Sequence, residues 1–143
     1  MKPPAPETAV ASIRYYDSMA KILIVDDDAD ARDSMAAFLR GRAHTITCVP
    51  NGRDALAQVL SDPPDVVLLD LLMPEMDGPS FLEVVRSYLR IQSLPVVVLT
   101  GLGDSPMIDR ARALKVNTIL VKGKATADDI LKALEEALVR HPG

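Results

Sequence analysis

From Lys21 onward, five short apolar runs rich in β-branched residues alternate with longer stretches of helical period, and no other feature restricts the fold as much. Strands separated by helix-length segments pair in parallel through crossovers, so the pattern predicts βαβ units around a single sheet. The runs are Lys21–Val25, Thr45–Val49, Val66–Leu69, Val96–Leu99 and Thr118–Val121. Three of them are unbroken apolar runs, as expected of central strands covered by helices on both faces. The fold class predicted is α/β, with a doubly wound parallel sheet of five βα units.

Five helices fit the gaps. The first carries Met35, Phe38 and Leu39 on one face and ends near Gly41, a residue suited to a left-handed cap. The second begins after the turn pair Asn51-Gly52 and is stopped by Pro63-Pro64. Leu82, Val85 and Leu89 are the expected buried stripe of the third. The fourth has Ser105 as its N-cap and Pro106 at the first helical position, where a missing N–H costs nothing. The fifth starts at Thr126, with Asp129 three residues on as a capping-box variant, and turns Ile130, Leu131, Leu134 and Leu138 inward.

A length of 143 residues suits one domain. Residues 1–19 open with Pro3, Pro4 and Pro6 and show only Val10, Ile13 and Tyr16 as a short amphipathic hint, so they form an N-terminal extension or added helix ahead of a domain at 20–143. Cys48 is the lone cysteine, which excludes an internal disulfide and a Cys-based metal site. No apolar run nears the roughly 20 residues of a membrane span, and the N-terminus lacks a signal-type apolar stretch, so a cytoplasmic location is expected. The net charge of -4, with both signs interspersed, argues against nucleic acid as a partner.

In open parallel sheets ligands bind outside the carboxyl ends of the strands. The residues there form a chemical set: Asp26, Asp27 and Asp28 after the first strand, Asp70 after the third, Thr100 after the fourth and Lys122 after the fifth. Converging carboxylates repel one another unless a cation neutralises them, and hard oxygen ligands select Mg²⁺ or Mn²⁺. Mg²⁺ keeps water or phosphate oxygens in its other positions, Lys122 offers a positive charge and Thr100 a hydroxyl donor. These groups describe a phosphoryl-transfer pocket with an aspartate nucleophile.

The segments Lys21-Ile-Leu-Ile-Val-Asp-Asp-Asp28, Val66-Val-Leu-Leu-Asp-Leu-Leu-Met-Pro-Glu-Met-Asp-Gly78, Val97-Val-Leu-Thr-Gly101 and Leu120-Val-Lys122 resemble the receiver domains of bacterial two-component response regulators, in order, from Lys21 to about Arg140. The resemblance implies a flavodoxin-like (βα)5 fold with strand order 2-1-3-4-5, as in the chemotaxis member of the family. It also implies that Asp70 is the phosphoacceptor, charged by a histidine kinase or histidine phosphotransfer protein. Asp27 would bind Mg²⁺ directly and Asp26 mainly through water, with Asp70 and the Leu72 backbone carbonyl as further ligands. Thr100 is similar to the switch hydroxyl, and Lys122 to the lysine that pairs with the phosphate. Such a domain is a signalling module rather than an enzyme. Read as a stand-alone receiver, its output is a downstream protein target or a phosphorelay, with room for a homodimer.

The chain departs from the family at three places. Ile119 stands where an aromatic side chain is common, Gly123 replaces the proline after the lysine, and Lys115 replaces a helix-ending glycine. All three lie toward the face of the fourth helix, fifth strand and fifth helix, which the family uses for output and dimer contacts, so output is expected to be modified more than chemistry. Leu72 and Leu102, each two residues beyond a site residue, are expected to hinder an attacking water. Asp28, Asp30 and Asp62 are read as caps or turn residues, Asp77 as a turn and helix start, His44 and His141 as surface residues, Met73 and Met76 as loop packing, and Cys48 as a small core residue. Two rivals remain at this point. One is a receiver-like interaction module that is never phosphorylated. The other is an aspartyl phosphatase, although Leu72 stands where such enzymes carry a second Asp. A dinucleotide site is excluded because Asp26-Asp-Asp-Ala-Asp30 follows the first strand in place of a glycine-rich loop.

Overall fold

The computed structural model describes residues 20–101 and 103–140. Residues 1–19, Leu102 and His141 lie outside the described residues, and with them the expectations placed on each. The elements alternate strictly: β1 Lys21–Val25, α1 Ala29–Arg40, β2 Thr45–Val49, α2 Gly52–Ser61, β3 Val66–Leu69, α3 Gly78–Ser87, β4 Val96–Thr100, α4 Pro106–Ala113, β5 Thr118–Val121 and α5 Ala127–Arg140. The five strands are parallel, in the order 2-1-3-4-5. This is the flavodoxin-like arrangement that the resemblance implied.

Side chains alternate across a strand, and here both faces are buried, which is why the central strands read as unbroken apolar runs. Leu23, Val25, Val67, Leu69, Val96 and Val98 face one way, against Ala55 and Val59 of α2, Phe81, Leu82 and Val85 of α3, and Ile108 and Ala111 of α4. Ile22, Ile24, Val66, Leu68 and Val97 face the other, against Ala36 and Leu39 of α1 and Ile130, Ala133, Leu134 and Ala137 of α5. Burying one such large apolar side chain contributes about 1.5–3 kcal/mol, so packing holds even the eight-residue α4, too short to be stable alone. Among the described residues no helix is long and apolar enough to cross a membrane.

Local signals set most helix starts. Asp28 accepts hydrogen bonds from the Asp30 and Ala31 amides, Asn51 from Asp54 and Asp77 from Ser80. Ser105 caps α4 ahead of Pro106. The Asp129 amide donates to Thr126 Oγ1 at 3.0 Å while the Thr126 amide donates to Asp129 Oδ2 at 2.8 Å, the reciprocal pair expected of a capping box.

Three expectations are corrected. Gly41 closes α1 in a right-handed conformation (φ −63°), and the left-handed residue is Ala43 (φ 68°), two positions later. Leu89 is not part of a buried stripe: α3 ends at Ser87, Tyr88 is extended, and Leu89 is 85% exposed, its helical periodicity broken before it could turn inward. His44 is not a surface residue. It sits at the foot of β2, only 7% exposed, with Nδ1 lacking a hydrogen-bond partner. Lys115 does adopt an altered turn, with φ 61°.

Candidate functional site

Register builds the site. Val25 of β1 pairs with Leu69 of β3, so the next residues, Asp26 and Asp70, stand side by side, and the Asp70 amide donates to the Val25 carbonyl at 2.9 Å. Thr100 of β4 pairs with Val121 of β5, and the following Lys122 amide donates to the Thr100 carbonyl at 2.8 Å. Four strand ends thus meet at one edge of the sheet.

There the Lys122 ammonium donates to Asp26 Oδ2 at 2.9 Å and to Asp70 Oδ2 at 3.2 Å. The other oxygens of those two carboxylates are steadied by backbone: Asp26 Oδ1 by the Asp28 amide at 2.9 Å, Asp70 Oδ1 by the Leu72 amide at 3.4 Å. Arg32, from the first turns of α1, donates to the Asp26 carbonyl at 2.8 Å and fixes the end of β1. Asp26 and Asp70 are buried, Thr100 is fully buried at the end of β4, and Asp27 is exposed. Carboxylate oxygens of Asp26, Asp27 and Asp70 lie within 4.8 Å of one another, close enough for all three to hold one metal ion.

The electrostatics favour a cation. Three carboxylates face one ammonium, which leaves two negative charges without a counterpart. Burial pushes the Asp70 carboxyl above its ordinary value; Lys122 and the Leu72 amide pull it down, Asp26 adds to the rise, and the balance stays raised. Burial alone would lower Lys122, but its hydrogen bond to Asp26 and the charges of Asp70 and Asp26 outweigh that and hold it above its usual value. The donor set of oxygens and the charge deficit both fit Mg²⁺ or Mn²⁺.

The loop between β3 and α3, which follows Asp70, has supports that the sequence reading did not single out. Its Met76 and Glu75 carbonyls accept from the amides of Gly52 and Arg53 at the start of α2, at 3.1 and 3.2 Å, and Arg53 pairs with the Glu75 carboxylate at 3.0 Å. Glu75 and Met76 both have positive φ, 50° and 83°. A Cβ on Gly52 would lie 2.3 Å from the Met76 carbonyl oxygen, and one on Gly78 would lie 2.7 Å from Leu71 Cα. Asp77-Gly78 is therefore a helix start, as expected, and also the place where α3 closes on Asp70 and Leu71 at the end of β3. The Asn51-Gly52 and Asp77-Gly78 pairs were the available signal, but each reads locally as a turn. Leu72 is 59% exposed beside Asp70, and Ile119 is half-buried, packed against the core under α2, α3 and α4.

Comparison with known proteins agrees with this geometry. Residues 22–135 match the response regulator receiver domain family. The chain is 39% identical over 124 residues to the response regulator MprA of Mycolicibacterium vanbaalenii, covering 84% of this chain and 48% of that one. It therefore spans about half the length of the MprA relatives it matches. Among solved structures it is similar to the chemotaxis response regulator CheY4 of Vibrio cholerae, with a TM-score of 0.76 at 28% identity over 83% of this chain and 98% of that one. It is also similar to the signal receiver domain of a signal transduction histidine kinase from Syntrophus aciditrophicus, with a TM-score of 0.77 at 25% identity over 84% and 90% of the two chains. With fold, strand-end chemistry and relatives in agreement, the chain belongs to the response regulator receiver domain family of two-component systems.

Proposed function

We propose that Asp70 accepts a phosphoryl group from a phosphohistidine on a histidine kinase or phosphotransfer protein, and that the modified domain signals by protein contact or by passing the group onward. Receiver domains as a family bind Mg²⁺ at an acidic pocket and interact with kinases or phosphotransfer proteins. The observation that carries the reading for this chain is the meeting of Asp26, Asp27 and Asp70 with Lys122 at the ends of β1, β3 and β5.

In this reading an Asp70 carboxylate oxygen attacks phosphorus, the phosphorus–nitrogen bond to the donor histidine breaks, and the imidazole nitrogen keeps the electron pair. The product is an acyl phosphate on Asp70. Lys122, already bonded to Asp70 Oδ2, stays beside the new phosphate as its counter-charge. Asp26, Asp27 and Asp70, with the Leu72 carbonyl, would hold Mg²⁺, whose chemistry is to neutralise charge on phosphoryl oxygens. Thr100 is the hydroxyl that turns toward the phosphate, and the change reaches partners through the face around half-buried Ile119.

Incubation of the full chain with Mg²⁺ and acetyl phosphate tests this. Intact mass should rise by one phosphoryl group in wild type and not in Asp70→Asn. No mass change in wild type would leave an interaction module that is never phosphorylated.

A further inference from the structure

A cleft of about 400 Å³ runs along the seam between α1 and α5 and opens at one end onto Asp26, Asp70 and Lys122. Its α1 wall carries Met35 and Phe38, its floor includes Leu99 of β4, and these three side chains are only half-buried. The opposite wall is the β5–α5 loop and the first turn of α5, where Gly123, Ala125 and Ala127 offer nothing larger than a methyl group. A Cβ at Gly123 would meet no atom within 4 Å. The seam is open because the loop side has no side chain long enough to fill it.

Size and charge together define an occupant. Volumes of roughly 300–1,000 Å³ are typical of small-molecule sites, so this cleft takes a body of one or two rings. Its mouth is formed by Asp26, Asp70 and Lys122. With the Asp27 carboxylate also within 4.8 Å, the polar end of this otherwise apolar cleft holds three carboxylates against one ammonium and keeps a surplus of negative charge. That pattern matches a positive charge on an apolar body, and it disfavours an anion, which would face the carboxylates.

We propose that the α1–α5 cleft binds a small amphipathic monocation, a primary amine on a one- or two-ring apolar body, whose ammonium takes the Asp26–Asp70 end and keeps Asp70 from being phosphorylated. The second half of this statement rests on the reading of Asp70 as acceptor; the binding half does not.

The test is a titration of the isotope-labelled full chain with tryptamine, followed by amide NMR shifts, with indole-3-propionate as the anionic counterpart of the same body. Tryptamine should shift amides of Met35, Phe38 and Ala125, and indole-3-propionate should not. Ala125→Leu and Ala127→Leu, made separately so that one folding failure does not decide the matter, should each abolish the shifts by filling the cleft. Added Mg²⁺ should weaken them by competing for the same carboxylates. With the probe at roughly ten times its Kd, phosphorylation by acetyl phosphate should slow about tenfold, because competition divides the free fraction by one plus [L]/Kd. No seam shifts with tryptamine, equal shifts with the anion, or shifts that survive both leucine variants would overturn the proposal. So would movement of resonances from residues 1–19 in Ala125→Leu without probe, since the chain itself would then be the occupant. Seam shifts in a chain whose Asp70 takes no phosphate would sustain the binding site and refute the acceptor reading. An unchanged phosphorylation rate with the probe bound would do the reverse, sparing the acceptor and overturning the inhibition.

Discussion

Leu72 and His44 mark the two ways in which a single residue departs from what its neighbours in sequence suggest. Leu72 is a large apolar side chain left 59% exposed beside a buried carboxylate, a position from which it would shield an acyl phosphate from water if Asp70 is the acceptor proposed above. Leu72→Asn should speed hydrolysis of phosphorylated Asp70, by up to about tenfold for a barrier change of about 1.4 kcal/mol. Phosphate release after removal of the phosphodonor measures it, and an unchanged rate refutes the shielding role. His44 is polar, stands between exposed Ala43 and Thr45, and yet is buried. Burial pushes its pKa below the ordinary 6.5, against the opposing pull of Glu135 and of its bond with the Ala20 backbone. Below pH 6.5 the unfolded chain therefore binds more protons than the folded one, so stability contributed above that pH is lost as pH falls through the lowered folded value. Urea midpoints measured downward from about neutral pH should fall more steeply in wild type than in His44→Phe. Parallel curves would show that His44 does not contribute. The strand-end aspartates were legible because they directly follow apolar runs; His44 was not, because its burial comes from α1 packing on β2, where the His44 amide donates to the Leu39 carbonyl.

Among the elements, N-caps were read correctly and α1 and α2 end where Gly41 and Pro63-Pro64 were expected to stop them, but the end of α3 was not. A cap is decided by a few adjacent residues, whereas α3 stops where Arg86 gathers distant carbonyls. The Arg86 guanidinium donates to the carbonyls of Leu114 at 2.8 Å, Leu94 at 2.9 Å, Gln92 at 3.1 Å and Lys115 at 3.3 Å. It joins the loops below α3 and α4 and supports the left-handed turn at Lys115. Arg86→Ala leaves these carbonyls without that donor, and hydrogen bonds to a charged group are worth about 1.5–3 kcal/mol each before water replaces them. A net loss of about 2–4 kcal/mol in chemical denaturation is expected, with only partial rescue by Arg86→Lys, which lacks the planar fork. A loss within experimental error would show that water replaces the guanidinium fully.

For the molecule as a whole, the charge deficit at the sheet edge would tie stability to metal if the three carboxylates hold one. Asp26 and Asp27 follow β1 and Asp70 follows β3, so such a metal would bind the folded chain and not the unfolded one. At 100 times the Kd, Mg²⁺ should stabilise the fold by about 2.7 kcal/mol, reversed by EDTA. Asp27→Asn should reduce that gain, as read from urea midpoints with and without the metal. A midpoint that ignores Mg²⁺ in wild type would show that the three carboxylates do not act as a metal site.

Sequence alone determined the strands, the alternation that makes the sheet parallel, the helix caps and the identity of the strand-end residues. Each follows from interactions within a few residues or from the period of apolar side chains. Tertiary structure decided the rest. Lys122 reaches Asp26 across 96 residues because β1, β3, β4 and β5 pair in one register, and no local signal encodes that distance. The burial of His44, the support of the acceptor loop by α2 and the open seam between α1 and α5 depend on which surfaces meet. In sequence Gly123 stands out only as a departure from the family, and Ala125 and Ala127 read as a loop and helix start, until Met35 and Phe38 stand opposite them with nothing between among the described residues.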